Sequence, residues 1–115
     1  MKYRGNMRTA LLDDRKIHPI EFSKWADAKR QFANRDKDRI KVEELKQSIA
    51  KRGLKEPILL GVSARYPDVY VGDGHHRAIA LMELGVSSFP FHWYWIKSFG
   101  VRIESEPFPY HLLGL

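Results

Sequence analysis

The chain contains no cysteine. Disulfide bonds, thiolate metal ligands and a cysteine nucleophile are therefore excluded, and the composition fits a reducing compartment. Long apolar runs are also lacking, since no segment approaches the roughly 18 apolar residues that a membrane-spanning helix needs. The basic first residues are not followed by the apolar stretch of a secretory signal. We expect a cytoplasmic protein with no membrane partner.

The chain is basic, with a formal net charge of +6 over 115 residues. Such a charge suits a polyanionic partner, which is nucleic acid, nucleotide phosphate or an acidic protein. A basic, solvated surface without any such partner is the alternative. With 115 residues, 43% of them hydrophobic, the chain can bury the core of one small domain but is too short for two independent domains.

Residues 1–41 are rich in charge and mixed in pattern. Pro19 predicts a turn or a short strand. A short helix is predicted next, with three apolar residues on one side: Trp25, Ala28 and Phe32. Residues 34–41 have almost no apolar content, which predicts an exposed loop. We interpret residues 1–41 as a basic N-terminal extension that packs on or completes a domain of residues 42–115, within a single domain overall.

The pattern becomes regular after this extension. A helical stripe begins at Val42, and Gly53 suits the end of that helix. Further elements are predicted after it: strands of a hairpin at 56–62 and 69–72, a helix from His75 to Leu84, and strands at 89–96 and in "VRIE". This order predicts an α+β domain with a short mixed sheet flanked by helices.

The stretch "GDGHHR" stands where the second strand of the hairpin enters a helix. Free backbone N–H groups and the helix dipole make such an end a good anion site, above all for phosphate. Gly72 and Gly74 would let the backbone turn sharply and approach a ligand. Arg77 offers a planar fork of donors to phosphate oxygens. The stretch predicts a phosphate or nucleotide site made by Gly72, Asp73, Gly74, His75, His76 and Arg77.

The polar side chains of this junction allow more than one role. His75 and His76 can donate to phosphate or exchange protons near neutral pH. Asp73 can bind a ribose hydroxyl or hold Mg²⁺, but it can also serve as a plain cap of the helix. Adjacent histidines point in different directions, so a zinc site on this pair is disfavoured.

A set of short motifs occurs in order over residues 42–96: Gly53-Leu54, Glu56-Pro57-Ile58, Gly74-His75-His76-Arg77, Ala78 with Ala80, Leu84-Gly85 and Pro90. In this order they resemble the ParB/sulfiredoxin superfamily, and within it the ParB-like N-terminal (nuclease-like) domain. The resemblance covers roughly half of the chain and implies the α+β fold of that superfamily, with residues 1–41 and the tail outside it.

The resemblance implies that the junction binds nucleotide phosphates or related anions. Members of the superfamily include CTP-hydrolysing partition proteins, ATP-dependent sulfiredoxins, ADP-dependent free-serine kinases and proteins described as nucleases. Sulfiredoxin activity is excluded because His75 stands where that motif has its cysteine. Partition proteins carry Gly-Glu-Arg-Arg and further domains, so we do not expect a complete partition protein. The Asp-Gly-His-x-Arg form is closest to the serine kinase and to stand-alone ParB-like proteins, which implies a bacterial setting and a phage-encoded origin.

Glu56 gains a role from the same resemblance. In that fold the Pro57-Ile58 strand runs beside the phosphate junction, so Glu56 could act as a general base or share a metal ion with Asp73. An exposed turn carboxylate is the equal alternative. The implied catalytic set is Glu56, His76 and Arg77, and the implied cofactor is Mg²⁺ with CTP, ATP or ADP. Positioning and charge stabilisation would then carry phosphoryl transfer, hydrolysis or nuclease chemistry.

Two further functions compete with this enzyme hypothesis. A DNA-binding or regulatory module is suggested by a run of basic residues: Lys29, Arg30, Arg35, Lys37, Arg39 and Lys41. Their simpler interpretation is a solvated loop. A non-catalytic protein-interaction module, or a homodimer, is suggested by the aromatic segment 89–95 and by Phe108 and Tyr110 in the tail. About half of the aromatic segment should fill the core, because alternate strand residues face opposite sides.

Overall fold

The computed structural model describes residues 2–63, 68–96, 103–105 and 107–114. The helices are α1 (Trp25–Asn34), α2 (Asp36–Arg52) and α3 (His75–Leu84). The strands are β1 (Lys2–Arg8), β2 (His18–Pro19), β3 (Ile58–Ser63), β4 (Asp68–Asp73), β5 (Ser88–Trp95) and β6 (Ile103–Ser105). Two short 3₁₀ helices lie at Thr9–Leu11 and Tyr110–Leu113. Within these residues, no helix combines the length and apolar character needed to cross a membrane.

The strands form one six-stranded sheet in the order β2-β4-β3-β5-β1-β6. The pairs β3–β4 and β1–β5 are antiparallel, whereas β3–β5, β2–β4 and β1–β6 are parallel. The sheet is therefore mixed, and helices flank it. This confirms the predicted fold class, a small α+β domain.

The core lies between one face of the sheet and the helices. Buried strand residues of this face include Ile58, Leu60, Val62, Val69, Val71, Phe91 and Trp93. The helices contribute apolar residues at helical spacing, among them Trp25, Ala28, Phe32, Val42, Ile49, Ala78, Ile79 and Leu81. Each large side chain buried in this way stabilises the fold by about 1.5–3 kcal/mol. The core thus fixes where α3 and α2 stand relative to the ends of β3 and β4.

Helix α1 carries its three predicted apolar residues on the buried side. Its start is fixed by Trp25, whose backbone N–H donates to Asp14 Oδ1 (2.7 Å) and whose indole N–H donates to the Ile17 carbonyl (2.9 Å). The bond to Asp14 satisfies a backbone donor that the first turn of a helix leaves without a partner. Both bonds also join α1 to the segment that leads into β2.

The exposed loop predicted for residues 34–41 is wrong, because α2 begins at Asp36 and not near Val42. Arg35 alone separates α1 from α2, with extended backbone at φ −101° and ψ 122°. Asp36 and Asp38 then occupy the first turn, where carboxylates favour the helix dipole. The helix ends as predicted at Gly53, whose φ of 74° is easy only for glycine.

The predicted hairpin is confirmed by the antiparallel pair β3–β4, and its turn lies outside the described residues. Helix α3 has the predicted bounds and ends at Gly85. The aromatic strand is β5, and β6 includes part of "VRIE", of which residues 101–102 lie outside the described ranges. The sequence patterns did not indicate β1, which pairs with both β5 and β6.

Candidate functional site

The junction between β4 and α3 has the geometry of an anion site. Gly74 caps α3 with φ 105°, and the first intrahelical bond runs from the Ala78 N–H to the Gly74 carbonyl at 2.8 Å. The amide groups of the first turn therefore have no partner within the helix. A Cβ on Gly74 would lie 3.3 Å from Ile58 Cγ1 and from Arg77 Nε. Both the backbone angle and the close packing thus favour glycine here.

Gly72 plays a different part from the sharp turn that the sequence predicts. It lies within β4 and is absent from the positive-φ glycines. Leu60 pairs with Val71 and Leu59 pairs with Asp73, so the register shifts and Gly72 is the extra residue. A β-bulge of this kind bends a strand and redirects the side chains that follow. Asp73 is thereby brought beside α3.

Arg77 is the centre of the polar contacts at this junction. Its Nη1 donates to the Glu56 carbonyl, to the Pro57 carbonyl and to Glu56 Oε2, each at 3.2 Å. Its Nη2 donates to Asp73 Oδ2 at 3.4 Å. The Arg77 side chain is only 15% exposed, whereas those of Glu56 and Asp73 are 82% and 75% exposed. The guanidinium is held in place, while both carboxylates are free to exchange it for another partner.

Asp73 is not the cap of α3, so that simple alternative is wrong. Gly74 occupies the cap position and has no side chain with which to bond the first-turn amides. Asp73 instead ends β4 and contacts Arg77 one helical turn ahead. The first-turn amides are consequently not capped by the carboxylate that the sequence offers for that role.

His76 is oriented by a carboxylate and an aromatic ring. Its Nε2 lies 2.9 Å from Asp38 Oδ1, and its ring stacks on Phe32 with centroids 4.1 Å apart and planes 5° from parallel. A neutral His76 that donates from Nε2 keeps Nδ1 as an acceptor. Asp38 belongs to the first turn of α2, and sequence reasoning missed it because that stretch was predicted as a loop.

His75 is buried, at 5% exposure, between the rings of Phe22 and Trp25. Among the described residues its Nε2 has no hydrogen-bond partner. Burial lowers the pKa of His75 below its ordinary value of 6.5, and His76 lowers this pKa further, whereas Glu21 and Asp73 oppose the shift. The ring is therefore neutral at pH 7 and carries a polar atom that the fold leaves without a partner.

A cavity of about 510 Å³ opens at this junction. The junction contributes five of its residues: Asp73, Gly74, His75, His76 and Arg77. Helix α2 contributes Lys41, Leu45 and Ser48, and the segment before β3 contributes Leu54, Lys55 and Glu56. Glu21 completes the lining from the segment before α1. Lys41, which the sequence suggests as a nucleic-acid-binding residue, thus lines the same cavity as the junction residues. Lys41, Leu45 and Ser48 follow helical spacing, a signal that could have placed this face of α2 at the site.

Glu56 and Asp73 are brought together, as a shared metal site would require. Both contact the same guanidinium, that of Arg77. In the described part of the chain, no three His, Asp or Glu side chains are grouped to hold a metal ion. Mg²⁺ commonly binds one or two protein carboxylates and takes its remaining ligands from phosphate and water. These two carboxylates therefore fit Mg²⁺ that arrives with a phosphorylated ligand.

The other predicted basic residues lie apart from this cavity, on α1 and in or beside α2. They are Lys29, Arg30, Arg35, Lys37 and Arg39, all exposed. Arg30 pairs with Asp27 (3.4 Å) and Arg39 with Asp36 (2.9 Å). Part of their charge is thus met by neighbouring carboxylates on the same helix.

The aromatic segment divides between core and surface as its alternation predicts. Phe89, Phe91 and Trp93 are buried, whereas Tyr94 and Trp95 are half-buried. In the tail, Phe108 is buried and packs its ring edge-on against Phe91 and Trp93. Most of the aromatic surface proposed for a partner is therefore used within the domain.

Comparison with known proteins finds no family model, no curated protein and no solved structure that matches this chain. The similarity to the ParB-like domain rests on the ordered motifs of the sequence and stays a prediction. What the fold and the site define is a small α+β domain with an anion-binding geometry at the junction of a strand and a helix.

Proposed function

We propose that this protein binds a nucleoside polyphosphate, with Mg²⁺, in the cavity at the start of α3. The carrying observation is that the first turn of α3, which has no side-chain cap at Gly74, lines the same cavity as the guanidinium of Arg77. A helix start favours phosphate through its amides and its dipole. The ParB-like motif order supports the same ligand, and a bacterial cytoplasm is the setting that this proposal assigns.

The charged residues of the cavity suit a phosphate chain that carries a metal ion. Lys41 and Lys55 supply positive charge from two sides, and Arg77 supplies a fixed guanidinium. When phosphate oxygens reach Arg77, Glu56 and Asp73 lose their partner and become available to Mg²⁺. Binding of a Mg²⁺–nucleotide complex would thus free the two carboxylates and supply the cation that they can coordinate. Leu45 and Leu54 offer apolar wall for the rest of the ligand.

The same residues provide for phosphoryl transfer to water or to a hydroxyl group. The attacking oxygen forms a bond to the terminal phosphorus, and the bond from that phosphorus to the bridging oxygen breaks. Glu56 or Nδ1 of His76 takes the proton of the attacking group, and the shortened nucleotide leaves with the electron pair. Asp38 positions His76 for this step through the bond to Nε2. Arg77 stabilises the charge that develops on the phosphate oxygens.

Calorimetric titration with CTP, ATP, ADP and GTP, with and without Mg²⁺, tests the binding step. We expect one nucleotide to bind, and Arg77→Lys to weaken it about tenfold or more because the bidentate fork is lost. Lys41→Ala should weaken it as well. Lys37→Ala is the matched control, because Lys37 is exposed on α2 and does not line the cavity.

Two results would contradict the proposal. One is the absence of nucleotide binding by the unaltered protein. The other is equal affinity in Arg77→Lys and the unaltered protein while circular dichroism shows both folded. Product analysis by chromatography then tests turnover, which Asp38→Asn should lower while nucleotide affinity is kept.

A further inference from the structure

The two faces of the sheet differ in what covers them. Alternate strand residues point to opposite faces, and the face toward the helices is buried. On the other face, the register places five residues in one row across five strands: His18, Tyr70, Gly61, Tyr94 and Lys2. Arg4 and Arg8 lie beside this row on β1, and Arg4 is paired with His92 of β5. We call these eight residues the open face.

The open face is partly accessible to solvent. Of its members only Gly61 is buried, while Arg4 and Arg8 are exposed and the others are half-buried. This contrasts with the helix-facing side, where Ile58, Leu60 and Val71 have no exposed surface. In the part of the chain that the structure describes, the helices and the core thus occupy one side of the sheet.

The ring of Tyr70 lies over Gly61 on this face. A Cβ built on Gly61 would lie 2.5 Å from Tyr70 Cζ and 2.7 Å from its hydroxyl oxygen, so the ring crosses the backbone of β3. Its hydroxyl group is hydrogen-bonded to Tyr94, and burial together with this bond raises the pKa of Tyr70 to about 12. The ring of His18, on the neighbouring strand β2, lies next to that of Tyr70, and the centroids of the two rings are 6.1 Å apart. Aromatic side chains on a protein surface are stacking partners for the bases of unpaired nucleic acid.

The charge of the open face is positive. Lys2, Arg4 and Arg8 recur at alternate positions of β1, and Asn6 between Arg4 and Arg8 is uncharged. Burial and the nearby charges of Lys2 and Arg4 lower the pKa of His92, which keeps that ring neutral at pH 7. Asp68 borders the face, but its carboxylate lies 2.8 Å from Nε2 of His18. Aromatic rings beside a row of cations suit the bases and the phosphates of an unpaired nucleic-acid strand.

We propose that the open face binds single-stranded nucleic acid, with bases stacked along the row of aromatic rings and phosphates on the β1 cations. Five strands spaced by about 4.8 Å give the row a width of about 19 Å. A second copy of the chain fits this surface poorly, because a two-fold contact would oppose Lys2, Arg4 and Arg8 to cations of like charge. The proposal does not rest on nucleotide binding in the cavity, which involves other residues.

Fluorescence anisotropy with labelled oligothymidine and oligouridine of about 12 nucleotides tests this surface. We expect binding that weakens with salt, with a slope of about −0.7 in log K against log salt for each phosphate contact. Arg4→Glu should weaken binding about tenfold or more, and so should Arg8→Glu. The thymidine and uridine probes tell whether the strand is DNA or RNA. Tyr70→Phe keeps the ring and should retain most of the affinity.

Lys37→Glu is the matched control, because it makes the same change of charge on the exposed side of α2. We expect its affinity to stay within about twofold of the unaltered protein. Equal weakening by Lys37→Glu and Arg4→Glu would overturn the proposal and favour general charge or the basic helices. Failure to bind either oligonucleotide, stronger binding to the matching duplex, or a dimer that Arg4→Glu dissociates in light scattering would overturn it as well. None of these results depends on Arg77, so failure here and failure of the proposed function are separable.

Discussion

At the scale of single residues, Arg77 makes two kinds of contact, one structural and one at the cavity. Its bonds to the Glu56 and Pro57 carbonyls fix the segment before β3, and its contacts with two carboxylates face the cavity. The carbonyl bonds need no change when a ligand arrives. The carboxylate contacts are exposed, and exposed ion pairs are worth only about 0–1 kcal/mol. Exchange of these partners for phosphate is therefore energetically accessible.

The two glycines of the junction give a residue-scale prediction. Gly74→Ala places a Cβ at φ 105° and 3.3 Å from Ile58 Cγ1, so we expect a loss of about 1–3 kcal/mol in the free energy of unfolding. Gly72→Ala meets the Leu59 carbonyl oxygen at 3.6 Å, an ordinary contact, and should change stability by less than about 1 kcal/mol. Urea denaturation of both variants checks this pair. Equal losses would contradict the prediction, because the cap would then be no more strained than the bulge.

His75 gives a second prediction at this scale. Its pKa is lowered in the folded state, mainly by burial, so the unfolded chain binds more protons below the ordinary value of 6.5. The stability that its neutral form contributes is complete above that pH and is lost as the pH falls toward the folded pKa. His75→Gln, which removes the titrating group, should flatten the fall of the melting temperature between about pH 7 and pH 5.

The control for this effect is His92, whose pKa is lowered as well. Its ring is less buried, so the melting temperature of His92→Gln should still fall between about pH 7 and pH 5, nearly as much as that of the unaltered protein. An unchanged slope in His75→Gln would contradict the prediction.

At the scale of elements, the sequence was informative where local signals agreed with packing. Helix α3 has a regular apolar pattern and a glycine at each end, and its bounds were predicted. The hairpin and β5 are apolar or aromatic enough to be recognised. Strand β1 is polar at most positions, with only Met7 buried, so its pattern gave no strand signal. Its pairing with β5 and β6 depends on tertiary contacts, which the hydrophobic pattern of one sequence does not reveal.

The candidate site was predicted in part for the same reason. The junction residues are consecutive, and their helix-start chemistry is local, so Gly74 and Arg77 could be found from the sequence. Asp38 and Glu21 come from distant segments, and only the packing of α2 and of the segment before α1 brings them to the site. Asp38 was also hidden by the prediction of a loop where α2 begins.

The first turns of α2 give the element-scale prediction. Ile40 is 52% exposed, so its side chain contributes little packing, but its backbone lies inside the helix. Ile40→Pro should therefore cost about 3 kcal/mol or more, because it removes a helix bond and clashes with the preceding turn. Thermal unfolding measures the loss, and Ile40→Ala is the control, with an expected change of less than about 1 kcal/mol. Tolerance of the proline would mean that residues 36–41 are not helical in solution.

At the scale of the whole molecule, residues 1–41 belong to the same sheet and core as the rest. Strand β1 lies between β5 and β6, and β2 extends the other edge beside β4. Gly5 allows the ring of Phe91 to cross β1, since a Cβ there would lie 2.7 Å from Phe91 Cζ. The site draws on both parts as well, because Glu21 lines the cavity and Phe32 stacks on His76. A function that needs the junction therefore needs the N-terminal residues.

This interdependence predicts that residues 42–115 do not fold alone. The described residues 2–41 bury eight apolar side chains: Met7, Leu11, Leu12, Ile17, Pro19, Trp25, Ala28 and Phe32. Burial of a large apolar side chain contributes about 1.5–3 kcal/mol, so their combined loss rivals the whole net stability of a domain, about 5–15 kcal/mol. We expect the fragment 42–115 to show no cooperative thermal transition by circular dichroism, whereas the full chain shows one. Co-expression of residues 1–41 as a separate chain should restore the transition, because the missing strands and helix can still pair. A fragment that melts cooperatively without them would show that residues 1–41 are an extension packed on a domain already complete.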